Sequence, residues 1–342
     1  MDNLIEKKAR ELLGKALRGG ATDLHLNPSE TGYEVQHRKD RRIITASEIP
    51  GVLGERIISF YKYLSSLDIG ERRKPQSGAF EMSFGEEEYS FRISTLPSVN
   101  MRESAAIRFQ LQAAALPVRQ LTGDAESARL LQEASALRQG MIFFTGPTGC
   151  GKTTTMYALT RHCASSLSRH VISLEDPVES TQPQLLQVQV NERAGISYST
   201  GLKAILRHSP DVIMIGEIRD PETAKVAVQA ALTGHLVMAT VHSKDTVGSL
   251  FRMLEFGIQL EELRQTVEMI CAQRLIEQDG KRQAVYEILQ GPLLADAFEA
   301  LRENRPFSVP KHLSLDWKER DVATKIRVYQ KKKPAPPAGT VP

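Results

Sequence analysis

The sequence predicts a two-domain α/β protein. A small N-terminal α+β domain covers residues 1–110, a linker 111–122, a larger α/β domain 123–330 and a tail 331–342. Three observations lead there. Up to about residue 110 the apolar residues alternate in short runs, the period of strands with one covered face. Further on the apolar runs become near-continuous and alternate with helical stretches, as in a parallel sheet buried on both faces. Between the first of these runs and the helix after it stands a glycine-rich segment, GPTGCGKT.

Taken in order, Leu4, Ile5, Ala9, Leu12, Leu13, Ala16 and Leu17 recur at helical spacing, and Gly19-Gly20 ends the run. Such a stripe packs on a core. Alternation follows at Tyr33-Val35-His37, Phe80-Met82-Phe84, Tyr89-Phe91-Ile93 and Ala105-Ile107-Phe109, with a helical stretch from about Gly51 to Leu67 among them. Gln112 to Pro117 is rich in alanine and ends in proline, which suits a linker. Four buried strands are then expected at Met141–Thr145, Val171–Leu174, Val212–Ile215 and Leu236–Val241. The tail KKKPAPPAGTVP carries nothing that could build a core and reads as disordered.

Composition narrows the classes. Lys plus Arg total 44 against 41 Asp plus Glu, a net charge of +3, too small to point to a nucleic-acid partner. Cys150, Cys163 and Cys271 are odd in number and form no CxxC pair, so neither a disulfide framework nor zinc is expected, and a reducing cytosol suits them. Met1 to Arg10 is charged, unlike a signal peptide, and no apolar run is long enough to span a bilayer. Work at a membrane would therefore go through a partner.

The chemistry centres on Gly146, Pro147, Thr148, Gly149, Cys150, Gly151, Lys152 and Thr153, with Thr154 following. They fit GxxxxGK[ST] between a strand and a helix, the P-loop pattern. Its glycines let successive backbone N–H groups face phosphates at a helix N-terminus. Lys152 is expected on the β- and γ-phosphates and the Thr153 hydroxyl on Mg²⁺, so ATP with Mg²⁺ is the implied ligand.

Hydrolysis also needs a carboxylate to orient or deprotonate water. Two strands end in candidates: Val212–Ile215 leads to Gly216-Glu217 and Val171–Leu174 to Glu175-Asp176. Either acid could instead cap a helix, and Pro177 and Pro221 hint at turns or helix starts. His235 and His242 flank the fourth strand. Their spacing is not that of a helical zinc pair. Each is either a hydrogen-bonded structural residue or a neutral sensor of the γ-phosphate or attacking water.

Together these residues resemble the secretion-ATPase superfamily, which powers type II secretion, type IV pili and competence pseudopili. The most specific stretch is LRHSPDVIMIGEIRD (Leu206 to Asp220), with GPTGCGKTTT as Walker A, LEDPVE (Leu174 to Glu179) like the aspartate box and TGHLVMATVHS (Thr233 to Ser243) like the histidine box. ATDLHL (Ala21 to Leu26) and FRISTLPS (Phe91 to Ser98) are similar to the family's smaller domain. The resemblance implies a RecA-like P-loop NTPase core with a PAS-like N-terminal domain, ATP held between the two, and a homo-hexameric ring. By residue it assigns catalysis to Glu217 and places Glu175 near Mg²⁺ and water. His242 falls near the γ-phosphate, His235 in the nucleotide site, and Arg92 and Arg108 on the phosphates.

Members that drive type II secretion or pilus extension carry an extra N-terminal domain and a four-cysteine zinc insertion. Here CAQRLIEQDGKRQAVYEIL (Cys271 to Leu289) crosses the insertion site without CxxC pairs. The short, zinc-free form is most similar to the ATPases that assemble competence pseudopili. DAFEALREN (Asp296 to Asn304) matches poorly the C-terminal motif of retraction motors. The implied setting is the cytoplasmic face of the inner membrane, against a polytopic platform protein, with no direct nucleic-acid contact. A type II secretion or retraction motor, a nucleic-acid translocase and a nucleotide-binding scaffold are the alternatives. Stimulation by single-stranded DNA marks the translocase, and a function that survives Lys152→Ala marks the scaffold.

Overall fold

A computed structural model describes residues 2–39, 42–85, 87–98, 102–111, 116–278 and 281–321. The tail over 331–342 lies outside them. The chain divides into two compact units, Met1–Ala114 with Pro177–Ser180, and Ala115–Asp176 with Thr181–Pro342.

The first unit runs α1 (Asp2–Arg18), β1 (Asp23–Pro28), β2 (Gly32–Lys39), β3 (Arg42–Pro50), α2 (Gly51–Leu64), β4 (Gln76–Phe84), β5 (Glu87–Pro97) and β6 (Glu103–Leu111). Its sheet is antiparallel in the order β3-β2-β1-β6-β5-β4. The helices cover one face. Ala9, Leu12, Leu13 and Ala16 of α1 are buried, whereas Leu4, the first residue of the expected stripe, is 70% exposed. The Tyr61 hydroxyl of α2 donates to the Ala9 carbonyl at 2.8 Å, tying the two helices together. Tyr61, Phe80, Phe91 and Phe109 form a chain of ring contacts through the core. Lys62 is fully buried and donates to both Glu103 oxygens, at 2.9 and 3.1 Å, so neither charge is left uncompensated. The central strand β1, with Leu24 and Leu26 buried, falls outside the alternating runs that sequence periodicity marked.

The second unit begins with α3 (Val118–Leu121) and α4 (Ala125–Ser135). Val118 and Leu121 lie within the stretch expected to link the domains, yet both are buried in this unit's core. After them come β7 (Gly140–Thr145), α5 (Lys152–Ser166), β8 (Val171–Glu175), β9 (Leu186–Gln189), α6 (Tyr198–Ile205), β10 (Val212–Ile215), α7 (Pro221–Leu232), β11 (Leu236–Thr240), α8 (Thr246–Glu255), α9 (Leu260–Thr266), β12 (Val267–Gln278), β13 (Lys281–Gln290) and α10 (Gly291–Arg302). The sheet order is β13-β12-β7-β11-β10-β8-β9, parallel except for the β12–β13 pair. Strands β7, β8, β10 and β11 are buried along their whole length, because helices cover both faces. No described helix is long and apolar enough to cross a membrane.

Register brings the chemistry to one edge. Thr240 pairs with Phe144, Ala239 with Ile215, and Ile215 with Leu174. The carboxyl ends of β7, β11, β10 and β8 are therefore level. The segments that follow them all leave from that edge, where ligands bind in open α/β sheets.

Candidate active site

The loop after β7 is shaped by three glycines with left-handed backbone: Gly146 at φ +135°, Gly149 at +78° and Gly151 at +88°. At Gly146 a Cβ would lie 2.4 Å from the Gln273 carbonyl oxygen, so backbone from β12 fills the space a side chain would take. Gly151 is the N-cap of α5 and provides no side-chain cap, which leaves the first-turn N–H groups facing out of the helix. Lys152 folds over its own loop, donating to the carbonyls of Gly146 at 2.8 Å and Pro147 at 3.1 Å. Cys150 is buried, and burial pushes its thiol pKa up, so it brings no negative charge to the loop. A concave run of N–H groups, an ammonium and a helix N-terminus fits a polyphosphate.

Two acids stand at the same edge. Glu217 follows β10 by one glycine. A Cβ on Gly216 would come 3.1 Å from the Tyr198 hydroxyl and 3.3 Å from the Leu174 carbonyl, which accounts for glycine before the acid. The Glu217 carboxylate accepts from His242 Nε2 at 2.8 Å and from the Arg219 guanidinium, and Arg219 also lies 3.6 Å from Asp176. His242 is half exposed but its backbone is pinned on both sides. Val241 N–H donates to Phe144 O at 2.9 Å and Ser243 N–H to Thr145 Oγ1 at 3.0 Å, so β7 itself places the imidazole.

Glu175 ends β8 and is 2% exposed. It accepts from Tyr157 Oη of α5, from Ser173 Oγ at 2.6 Å and from Gln187 Nε2 at 3.0 Å. Tyr157 lies four residues beyond Thr153, so both share one face of α5 and Glu175 is tied one turn along from the Thr153 hydroxyl. Among the described residues no three His, Cys, Asp or Glu side chains converge to hold a metal ion. Hydroxyl and carboxylate oxygens beside a phosphate loop are nonetheless what Mg²⁺ uses, since it keeps its waters and binds through substrate phosphates.

His235 is not in this group. It precedes β11, and its carbonyl accepts from the N–H of Gly140 at 3.1 Å, at the amino edge of the sheet. Its Nδ1 meets the Ala230 carbonyl at 2.9 Å at the end of α7. Parallel strands put their two ends on opposite edges, so a histidine before β11 cannot join one placed after it. The structure therefore does not bring His235 together with the P-loop, Glu217 and His242; it sits where α7 ends.

Arg92 and Arg108 belong to the first unit and stand directly opposite one another on β5 and β6. Like charges in that position repel. Acids answer both: Arg92 is paired with Glu179, and Arg108 Nε donates to Asp23 at 2.9 Å. Sequence reasoning missed Tyr157, Gln187, Tyr198, Arg219 and Gln273. Arg219 and Tyr157 were within reach, the first in the GEIRD stretch and the second one turn past Thr153. The others come from distant elements and carry no local signal.

Comparison with known proteins settles the family. A family model described as Type II/IV secretion system protein matches residues 1–306. The chain belongs to the type II/IV secretion system protein family. Among its members, competence protein ComGA of Bacillus subtilis (strain 168) is 41% identical over 318 residues, 88% of this chain and 89% of that protein. ComGA of Halalkalibacterium halodurans is 40% identical over 89% of this chain and 95% of its own length. Type II secretion system protein E of Pseudomonas aeruginosa is 38% identical over 80% of this chain but only 55% of its own length. Of solved structures, the pilus retraction motor PilT with bound ADP superposes at TM-score 0.70 with 26% identity, covering 93% of this chain and 89% of PilT. The Legionella pneumophila ATPase DotB gives 0.69 at 20% identity, over 94% and 93%, a likeness of fold alone. The RecA-like core with a smaller α+β unit is thus the family's fold.

Proposed function

We propose that the chain is a ring-forming motor ATPase, a homo-hexamer on the cytoplasmic face of the cell membrane. It would hydrolyse ATP to assemble a competence or type IV-like pseudopilus for DNA uptake, working through a polytopic inner-membrane platform protein. One observation carries the enzymatic part: the P-loop, Glu217 and His242 leave one edge of one parallel sheet, with His242 Nε2 on Glu217 Oε1. The competence assignment rests on two ComGA relatives that match nearly the full length of each chain.

In this reading Lys152 exchanges two neutral carbonyl acceptors for charged phosphate oxygens, a stronger pairing. Glu217 takes a proton from the attacking water. The water oxygen bonds to the γ-phosphorus as the bond to the bridging oxygen breaks, leaving ADP and phosphate. His242 holds the Glu217 carboxylate in place beside the γ-phosphate. Thr153, with Glu175 through water, would hold Mg²⁺, which neutralises phosphate charge. Arg92 and Arg108 would add positive charge at the leaving phosphate, releasing their present acids.

Glu217→Gln tests the assignment. The variant should bind a fluorescent ATP analogue as the native protein does, while kcat falls by about a hundredfold or more. In the native host it should abolish both filament formation and DNA uptake. Normal turnover would refute Glu217 as the base. Normal uptake with failed secretion or surface motility would leave the motor and remove the competence role.

A further inference from the structure

Behind the P-loop, away from its open side, a chain of buried polar groups joins β13, α5, β12 and the loop. The Tyr286 hydroxyl lies 2.9 Å from Thr155 Oγ1, which lies 3.0 Å from Gln273 Oε1, and Gln273 Nε2 donates to the Cys150 carbonyl at 2.7 Å. Tyr286, Thr155 and Gln273 are each about 1% exposed, so water does not substitute for any of these bonds.

The direction of every proton follows. A carbonyl only accepts, so the Gln273 amide nitrogen faces Cys150 and its oxygen faces Thr155. Thr155 must then donate to Gln273 and accept from Tyr286. A carboxamide fills the central place because it donates and accepts at once. Cys271 and Leu275, which flank it on the same face of β12, carry no carboxamide.

The consequence falls on the next residue. In a trans peptide the carbonyl of Cys150 and the N–H of Gly151 point opposite ways. Drawing that carbonyl onto β12 turns the Gly151 N–H away from β12, out of the core. Gly151 is the N-cap of α5, so this is one of the N–H groups at the helix's anion-binding end. We infer that Gln273 is a positioning residue of the nucleotide site, fixing the Cys150–Gly151 peptide so that its N–H is preset for phosphate. The inference rests on the loop being a nucleotide site, as proposed above.

The test measures equilibrium binding of Mg²⁺ with a fluorescent ATP analogue to the full chain, below each variant's unfolding temperature, together with KM and kcat. Gln273→Met keeps the volume and loses both bonds; it should weaken binding and raise KM about tenfold, with kcat changed far less. Gln273→Glu keeps the acceptor toward Thr155 but not the donor toward Cys150, and should weaken binding comparably. Tyr286→Phe removes the far end and leaves the Cys150 clamp; its binding should stay within about twofold of native. Native-like binding by either Gln273 variant overturns the assignment, as does equal weakening by Tyr286→Phe. If neither Gln273 variant folds, Gln273 is a residue of the fold and not of the site. Failure of the native chain to bind the analogue is a different result, which removes the nucleotide reading itself.

Discussion

At the scale of single residues, the loop glycines differ in what constrains them. Gly149 has a left-handed backbone and open space around it, whereas Gly146 has both a left-handed backbone and the Gln273 carbonyl where its Cβ would go. Gly149→Ala should therefore cost about 1 kcal/mol, the price of the backbone alone. Gly146→Ala adds a collision with backbone that has no rotamer to escape into, and should cost at least about 3 kcal/mol while abolishing nucleotide binding. Chemical denaturation of the two variants side by side checks the order, and equal costs would refute it. The same contrast explains what was legible at this scale. The motif residues could be read because their chemistry depends on chain neighbours: a glycine, a lysine and a threonine in fixed sequence. Gln273 acts on the loop, and Tyr198 crowds Gly216, from elements distant along the chain, and one sequence holds no trace of that proximity. The place of His235 was hidden for a related reason. Its distance from His242 along the chain was plain, but the sheet edge on which it falls follows only from strand direction.

At the scale of elements, the GEIRD stretch divides its labour. Glu217 faces the site, while Asp220 caps α7, accepting from Thr223 N–H at 2.8 Å and Thr223 Oγ1 at 2.7 Å with Pro221 in the first turn. The helix-start reading of Pro221 holds, but the capping acid is Asp220 and not Glu217. Asp220→Ala should cost about 1 kcal/mol, and Asp220→Asn, which caps as well, only a few tenths. Because the cap anchors the turn carrying Glu217 and Arg219, the alanine variant should also lower kcat, and the asparagine variant should not. Thermal melts and steady-state rates on both decide it; an asparagine variant as slow as the alanine one would point to the charge and not the cap. The four buried strands of the second unit were legible from their apolar runs. The β12–β13 hairpin was not, since Arg274, Glu277 and Gln283 break its apolar pattern toward the far end. Strand β3 was hidden differently: seven of its first residues are exposed in succession, so there is no covered face to create an alternation.

At the scale of the molecule, each unit has a core of its own. The first is closed by α1 and α2 over one sheet face. The second has apolar clusters on both faces of its sheet, one holding Ile213, Ala227 and Val237, the other Phe144, Met156 and Met238. The change of apolar pattern near residue 110 reflects this difference, because a sheet covered on one face alternates and one covered on both does not. Separate cores should unfold separately. Calorimetry on the full chain should then show two transitions, and a non-hydrolysable ATP analogue with Mg²⁺ should act unequally on them. The P-loop, Glu175, Glu217 and His242 all belong to the second unit. An analogue at about a hundred times its Kd adds about 2.7 kcal/mol to whatever binds it. For a unit of that size this raises the midpoint by roughly 5–10 °C. The transition of the first unit should move far less, since its only proposed phosphate contacts are Arg92 and Arg108. Alanine at both arginines should remove that residual shift and leave the larger one. A single transition that moves as a whole would mean that the two units fold as one cooperative body, with nucleotide energy shared between them from the start.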